Sequence, residues 1–243
     1  MIIHGISRKG LVRENNEDFY CYDSQKGLMI VADGIGGHAG GEVASKLAVE
    51  TAAAELVQRE TATLQAIEQA FHAANMAVVQ RAAVDSSLAD MGTTMTLAWL
   101  CGSRLLVGHI GDSRAYLFQS GQLQMLTRDH TVTGDLLEAG DISDSQAATH
   151  PQKHILTRAL GTVEGCTIDV FELELQPDSI LLLCTDGLTD QVSTEDISRL
   201  LNQQTDIKII ADSLVGQAYQ KGAPDNVTLI VARSQGGESV DRL

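Results

Sequence analysis

Four aspartates stand where apolar runs stop. Asp33 closes LMIVAD, Asp112 closes LLVGHIGD, Asp186 closes SILLLCTD, and Asp225 immediately precedes NVTLIVA. Aspartate is a poor strand former, and a single one at a strand end is an ordinary turn residue or helix cap. Four of them flanking four buried strands pose a different problem. If the strands bring these ends to one edge the carboxylates converge, and two unit charges about 4 Å apart repel by roughly 4 kcal/mol at an effective dielectric of 20. Such a cluster calls for a cation. Oxygen-only ligands select hard divalent ions, Mg²⁺ or Mn²⁺, over zinc, which prefers Cys and His. Gly34 and Gly187 each follow an aspartate, where the missing side chain permits a sharp turn and lets a carbonyl or a substrate approach the ion. Two ions sharing a carboxylate would make a hydroxide nucleophile and clamp a phosphoryl oxygen, which suits phosphate ester hydrolysis, with Asp33 the natural bridge.

The elements that would carry these residues are short β-type runs at both ends of the chain: IIHGIS, GLMIVAD, TTMTLAWL, RLLVGHIG, RAYLFQ and QLQML, then FELEL, SILLLCT and NVTLIVAR. FQSGQL reads as a hairpin turn. Between the runs, Leu64, Ile67, Phe71, Ala74 and Val78 line one helix face, a further helix precedes them around residues 43–58, and a late pair covers roughly 194–202 and 206–220. Clustered strands and paired helices without βαβ alternation predict an α+β fold: a four-layer α-β-β-α sandwich of two antiparallel sheets with helices outside. Residues 131–153 are too polar for that core and read as a helix followed by a mobile surface flap.

Composition narrows the function classes. The chain has 243 residues, 44% of them hydrophobic, enough for one large core. With 32 acidic and 17 basic residues the net charge is −15, the wrong sign for nonspecific binding to nucleic acid. The four cysteines form no CxxC pair, so neither a zinc knuckle nor a disulfide framework is indicated, and Cys101 and Cys184, within apolar runs, read as buried core residues. The N-terminus lacks a signal-peptide apolar region, and the longest aliphatic runs fall far short of the roughly 20 residues needed to span a bilayer. A cytoplasmic monomer is expected, with no membrane partner. Only three prolines occur and no linker divides the sequence, which predicts a single domain over 1–233, a flap over about 131–156 and a polar tail over 234–243.

Five segments, in order, carry a resemblance: RENNEDFY, VADGIGGHAGGE, GTTMTLAWL with GHIGDSRAYLF, LLLCTDGLTD and DNVTLIV. Together they resemble the metal-dependent protein phosphatase family, type 2C, in its compact bacterial form. The resemblance implies a serine/threonine phosphoprotein phosphatase that cleaves phosphate monoesters by direct attack of hydroxide at a binuclear Mn²⁺ or Mg²⁺ centre. Its substrates would be phosphorylated proteins, and a bacterial Ser/Thr kinase its antagonist. Asp33 would bridge two ions, Gly34 would offer its carbonyl, Asp186 and Asp225 would complete the first ion's shell, and Asp18 would support the second. Asp112 and Asp190 match positions that hold a third, weaker ion, the alternatives being a turn cap and a helix boundary. Arg13 would grip the phosphoryl group, since a guanidinium engages two oxygens in a fork that lysine cannot reproduce; a surface salt bridge is the other reading.

Some positions depart from the family or stay outside the ligand set. Ile35 stands where eukaryotic relatives place a histidine, and His38 reads as a solvated loop residue. Glu17 is left out of the ligands. His109, at a position where many relatives have asparagine, reads as a core or sheet-edge residue. His150 and His154 flank Pro151 in a non-helical context, which argues against a zinc pair. The absence of a CxxxxxR signature argues against a thiol phosphatase. Two competing functions are a catalytically silent phosphoprotein-binding regulator and a metal-dependent phosphodiesterase or nuclease.

Overall fold

The computed structural model describes residues 1–36, 40–162, 165–203 and 205–234; His38 and nearly all of the expected tail lie outside them. The chain runs β1 (Ile2–Arg8), β2 (Asp18–Asp23), β3 (Leu28–Ile35), α1 (Gly40–Val57), α2 (Leu64–Val84), β4 (Gly92–Thr93), β5 (Met95–Cys101), β6 (Arg104–Ile110), β7 (Arg114–Gln119) and β8 (Gln122–Met125). It continues with α3 (Val132–Ala139), α4 (Asp144–Ala148), β9 (Asp169–Glu174), β10 (Ile180–Cys184), α5 (Asp186–Thr189), α6 (Thr194–Leu201), α7 (Ile207–Gln220) and β11 (Val227–Arg233).

The strands form two sheets, ordered β1-β11-β10-β7-β8 and β2-β3-β5-β6-β9, with β4 paired to β3; their pairings are antiparallel. Side-chain alternation explains why the strands read as unbroken apolar runs. In β3, Met29 and Val31 face the other sheet while Leu28, Ile30 and Ala32 face the α1/α2 layer. In β10, Leu181 and Leu183 face the other sheet while Ile180, Leu182 and Cys184 meet α6 and α7. Both faces of each strand are buried, so period two is hidden under uniform hydrophobicity. The layers are α-β-β-α, as expected.

Helix boundaries follow their caps. Thr63 accepts from Ala66 N–H at 3.1 Å and opens α2, and Asp206 accepts from Lys208 N–H at 2.8 Å and opens α7. Two sequence expectations need correction. Cys101 is exposed, because it is the last residue of β5 before the Gly102 turn; Cys184 is buried as expected. The flap carries two helices rather than one: α3 ends on Gly140 at φ 76°, and Ser143 with Gln146 forms a capping box that starts α4. An isolated bridge between Thr131 and Leu156 closes the flap at its root.

Candidate metal centre

Antiparallel order brings the acidic residues to one edge. Asp18 opens β2 and pairs in register with Asp33 on β3. On the same edge, β6 ends just before Asp112, β10 ends two residues before Asp186, and β11 begins two residues after Asp225. Asp33 is not the terminal residue that the apolar run suggests. The strand continues through Gly34 and Ile35, which pair with Thr93 and Gly92 of β4.

The backbone around Asp33 is fixed by threonines. Asp33 N–H donates to Thr94 Oγ1 at 2.9 Å, and Asp33 O accepts from Thr94 N–H at 2.9 Å and from Thr93 Oγ1 at 2.8 Å. Glu17 O accepts from Gly34 N–H at 3.1 Å and from Ser45 Oγ at 2.6 Å, tying β2, β3 and α1 at one point. Asn226 joins the other sheet to the same corner: its Oδ1 accepts from Glu17 N–H at 2.9 Å and its Nδ2 donates to Asn15 O at 3.0 Å. Neither Gly34 nor Gly187 has a positive φ, so a left-handed turn is not their reason. A Cβ on Gly34 would collide with the Gly41 backbone and lie 2.6 Å from Glu17 O; one on Gly187 would collide with Asn226 O and lie 3.0 Å from its carbonyl carbon. Close backbone approach requires both glycines.

The electrostatics are those of a site built for positive charge. Asp18 is buried; its Oδ2 accepts from Thr185 Oγ1 at 2.8 Å, while its Oδ1 is buried with no hydrogen-bond partner. Burial, together with repulsion from Asp186 and Asp225, lifts its carboxyl to about 7. Asp33 is held well above the usual range by burial and then by Asp18, Asp186, Asp112 and Asp225. Burial and the charge of Asp186 push Asp112 up to about 8. Asp186 also keeps a buried oxygen, Oδ1, without a partner. Burial would raise this carboxyl too, but contacts with His154 and Asp33 outweigh it and the group titrates low. Two orphaned carboxylate oxygens among mutually repelling acids, Asp18 and Asp112 buried and Asp33 and Asp186 partly so, fit a hard divalent cation, which would satisfy the oxygens and hold the carboxyls ionised.

The sequence-selected residues converge with one addition. A cleft of about 750 Å³ is lined by Arg13, Asp33, Gly34, Asp112, Asp186, Asp190 and Asp225, among others, while Asp18 lies beneath it. Arg13, half exposed, donates to Asp225 Oδ2 at 2.5 Å, so its salt bridge and its place in the cleft are one arrangement. Asp190 caps the end of α5 and meets Lys153 Nζ at 3.3 Å. The addition is His154, on the flap, with Nδ1 3.6 Å from Asp186 Oδ2 and Nε2 3.4 Å from Asp190 Oδ2. Donor atoms of His154, Asp112 and Asp186 lie within 4.8 Å of one another, close enough to share an ion. The i, i+4 spacing of this histidine from His150 is not the signal, since the group that could hold an ion pairs His154 with Asp112 and Asp186; the fold of the flap brings it in. Thr93, Thr94, Thr185 and Asn226 also position the site; all four lie inside segments that carry the family resemblance, but hydroxyl and amide side chains beside an acid read first as ordinary turn residues.

Residues 7–212 match the protein phosphatase 2C family model. The chain belongs to the protein phosphatase 2C family. Among protein phosphatase 2C relatives, the serine/threonine phosphatase stp of Listeria monocytogenes is 36% identical over 233 residues, covering 92% of each chain. The serine/threonine protein phosphatase PstP of Mycobacterium tuberculosis is 40% identical over 228 residues, covering 93% of this chain and 43% of the relative. A crystal structure of the Mycobacterium tuberculosis PstP superposes with a TM-score of 0.90 at 38% identity, covering 96% of this chain and 98% of that one. A PstP catalytic-domain structure in complex with two manganese ions superposes with a TM-score of 0.86 at 36% identity, covering 96% and 97%.

Proposed function

We propose that this chain is a metal-dependent serine/threonine phosphoprotein phosphatase of the 2C type, hydrolysing phosphoserine and phosphothreonine monoesters with Mn²⁺ or Mg²⁺. The observation that carries the reading is the convergence of buried and half-buried acids, two of them with orphaned oxygens, in a chain that shares family and fold with relatives named for that activity. Asp33, Asp18, Asp186, Asp225 and the Gly34 carbonyl would hold two ions, and Asp112 with Asp190 a third. Bound there, the ions would supply a nucleophile from water at neutral pH and neutralise phosphoryl charge.

The chain's own residues do the remaining work. Arg13 presents a planar array of N–H donors in the cleft and receives the phosphoryl oxygens, while its bond to Asp225 fixes the guanidinium against the metal side of the site. Thr93 and Thr94 hold the Asp33 backbone, so its carboxylate keeps its position in the cleft without reorganising. Thr185 anchors Asp18 from the opposite sheet. The flap forms one wall of a neighbouring cavity of about 1000 Å³ that shares Asp112, His154, Asp186 and Asp190 with the cleft, and is the candidate for substrate choice.

Residues 1–233 would act as one catalytic domain, opposing a Ser/Thr kinase. A cytoplasmic setting is supported by four free cysteines. Among the described residues no helix is long and apolar enough to cross a membrane. The test is phosphate release from a phosphothreonine peptide with Mn²⁺, with and without chelator, beside a diester substrate. Chelator-sensitive release from the peptide is expected; metal-independent activity or a preference for the diester would reject the reading.

A further inference from the structure

Both ends of the flap are held by a part-buried polar network, centred on two buried histidines, to which the reaction itself gives no role. His130 stands immediately before the flap, with its side chain wholly buried. Its backbone N–H donates to Gly111 O at 2.8 Å, and Gly111 N–H returns a bond to its Nδ1 at 3.2 Å. Since Nδ1 accepts, the neutral ring carries its proton on Nε2, which donates to Asp169 Oδ2 at 3.1 Å. Arg158, two residues beyond the bridge at Leu156, donates to Asp169 Oδ1 at 3.0 Å, and Thr157 N–H donates to His130 O at 2.9 Å. The ring of His109 lies 4.8 Å away and donates from Nε2 to Arg128 O at 2.9 Å, bracing the segment that leads into the flap. His130 therefore meets the loop that carries Asp112 and the first residue of β9 through its ring, with Arg158 Nη1 3.3 Å from Nε2, and meets the chain beyond the flap through its backbone carbonyl.

We propose that His130 is a positioning residue for the phosphatase reaction, coupling the seating of the flap to the placement of Asp112 so that the substrate-side wall and the metal-side carboxylate form as one unit. The inference rests on the phosphatase reading of the site, and its test separates the two. Two polar replacements cut the network on opposite sides. In His130→Asn, Oδ1 takes the place of Nδ1 and still accepts from Gly111, but the side chain falls short of Asp169. In His130→Gln, the amide nitrogen reaches Asp169, but no acceptor remains for Gly111 N–H.

The full chain and both variants are compared by hydrogen exchange over residues 132–155, by calorimetric titration with Mn²⁺, and by kcat and KM on a phosphothreonine peptide and on p-nitrophenyl phosphate. In His130→Asn, the lost bond to a charged acceptor should speed flap exchange about ten-fold or more and raise KM for the peptide, without a matching fall in kcat on the small ester. In His130→Gln, kcat should fall on both substrates and Mn²⁺ should bind more weakly, with smaller changes in flap exchange. Equal effects of the two variants on every constant, in step with melting temperature, would overturn the proposal, as would unchanged flap exchange in His130→Asn. A wild-type chain inactive on both esters would defeat the phosphatase reading, while the exchange comparison, which needs no turnover, would still decide whether His130 seats the flap.

Discussion

Metal-free protein should lose stability as the pH rises from about 4 to about 8, and saturating Mn²⁺ should erase that loss. Asp18 supplies the magnitude. Its carboxyl moves from an ordinary 3.8 to about 7 on folding, through burial first and then repulsion from Asp186 and Asp225, against hydrogen bonds from Thr228 and Thr185. Between those values the folded state keeps a proton that the unfolded chain has released, so stability falls as pH climbs through the window and levels off above the folded pKa. The full displacement is worth about 4 kcal/mol for this one group, or roughly 10 °C of melting temperature in a domain of this size. Asp33 and Asp112 are displaced in the same direction and add to the slope. Asp186 is lowered, so its contribution is lost only below the ordinary carboxylate range, outside the window. His154 is raised by its bond to Asp186; its contribution is present below the ordinary histidine pKa and lost as pH rises through the folded one, so it slopes the same way. Asp18→Asn isolates the carboxylate. Thermal melts across this pH range, with chelator and with Mn²⁺, should show a flatter profile for the metal-free variant and a higher melting temperature than wild type near pH 8. A flat metal-free wild-type profile, or a variant less stable than wild type at that pH without metal, would refute the electrostatic argument.

Three further outcomes test individual residues. Asp186→Asn should cut turnover by more than about 100-fold and lower Mn²⁺ stoichiometry or affinity in calorimetry, because it removes a ligand charge; near-wild-type activity would show that the site is misassigned. Arg13→Ala should lower kcat/KM on a phosphopeptide by about 10- to 100-fold, and Arg13→Lys should not restore it, since the fork is lost in both. Gly187→Ala should destabilise the protein by at least about 2 kcal/mol, read as a shift in urea midpoint, because its Cβ would press on the Asn226 backbone. An unchanged midpoint would mean that this strand-to-helix corner has slack.

The layered fold was legible because the buried strands read as short unbroken apolar runs, while the helices show apolar stripes at helical spacing. The stripe Leu64, Ile67, Phe71, Ala74, Val78 became one face of α2, with all but Leu64 fully buried. What failed is local. The segment DFYCYD has no apolar run, because β2 is an edge strand with one partner and its residues are mostly half exposed, so an acidic motif rather than a strand pattern marks the element that carries Asp18. The short β4 has only two residues and no periodicity to read. The second flap helix is five residues long and set by a capping box, a signal easily lost in a polar stretch. Cys101 is exposed although it ends an apolar run, because such a run shows where a strand lies but not where it emerges into solvent.

The site was legible to the extent that its residues are defined by strand ends. Asp33, Asp112, Asp186 and Asp225 are set by topology: antiparallel strands alternate direction, so an acid at the end of β3, β6 or β10 and one at the start of β2 or β11 share an edge. Burial converts that placement into chemistry, because the same carboxylates in open solvent would be screened and would not need an ion. His154 follows a different logic. It reaches Asp186 and Asp190 only because the flap folds back to bridge at Thr131 and Leu156, a contact between residues that neither periodicity nor motif connects. Substitution of His154 by Ala should therefore leave the sheet core and its melting behaviour intact while altering the region shared by the cleft and the flap cavity. Peptide KM should change more than thermal stability, and a melting shift larger than the kinetic one would mean that the histidine serves the fold rather than the site.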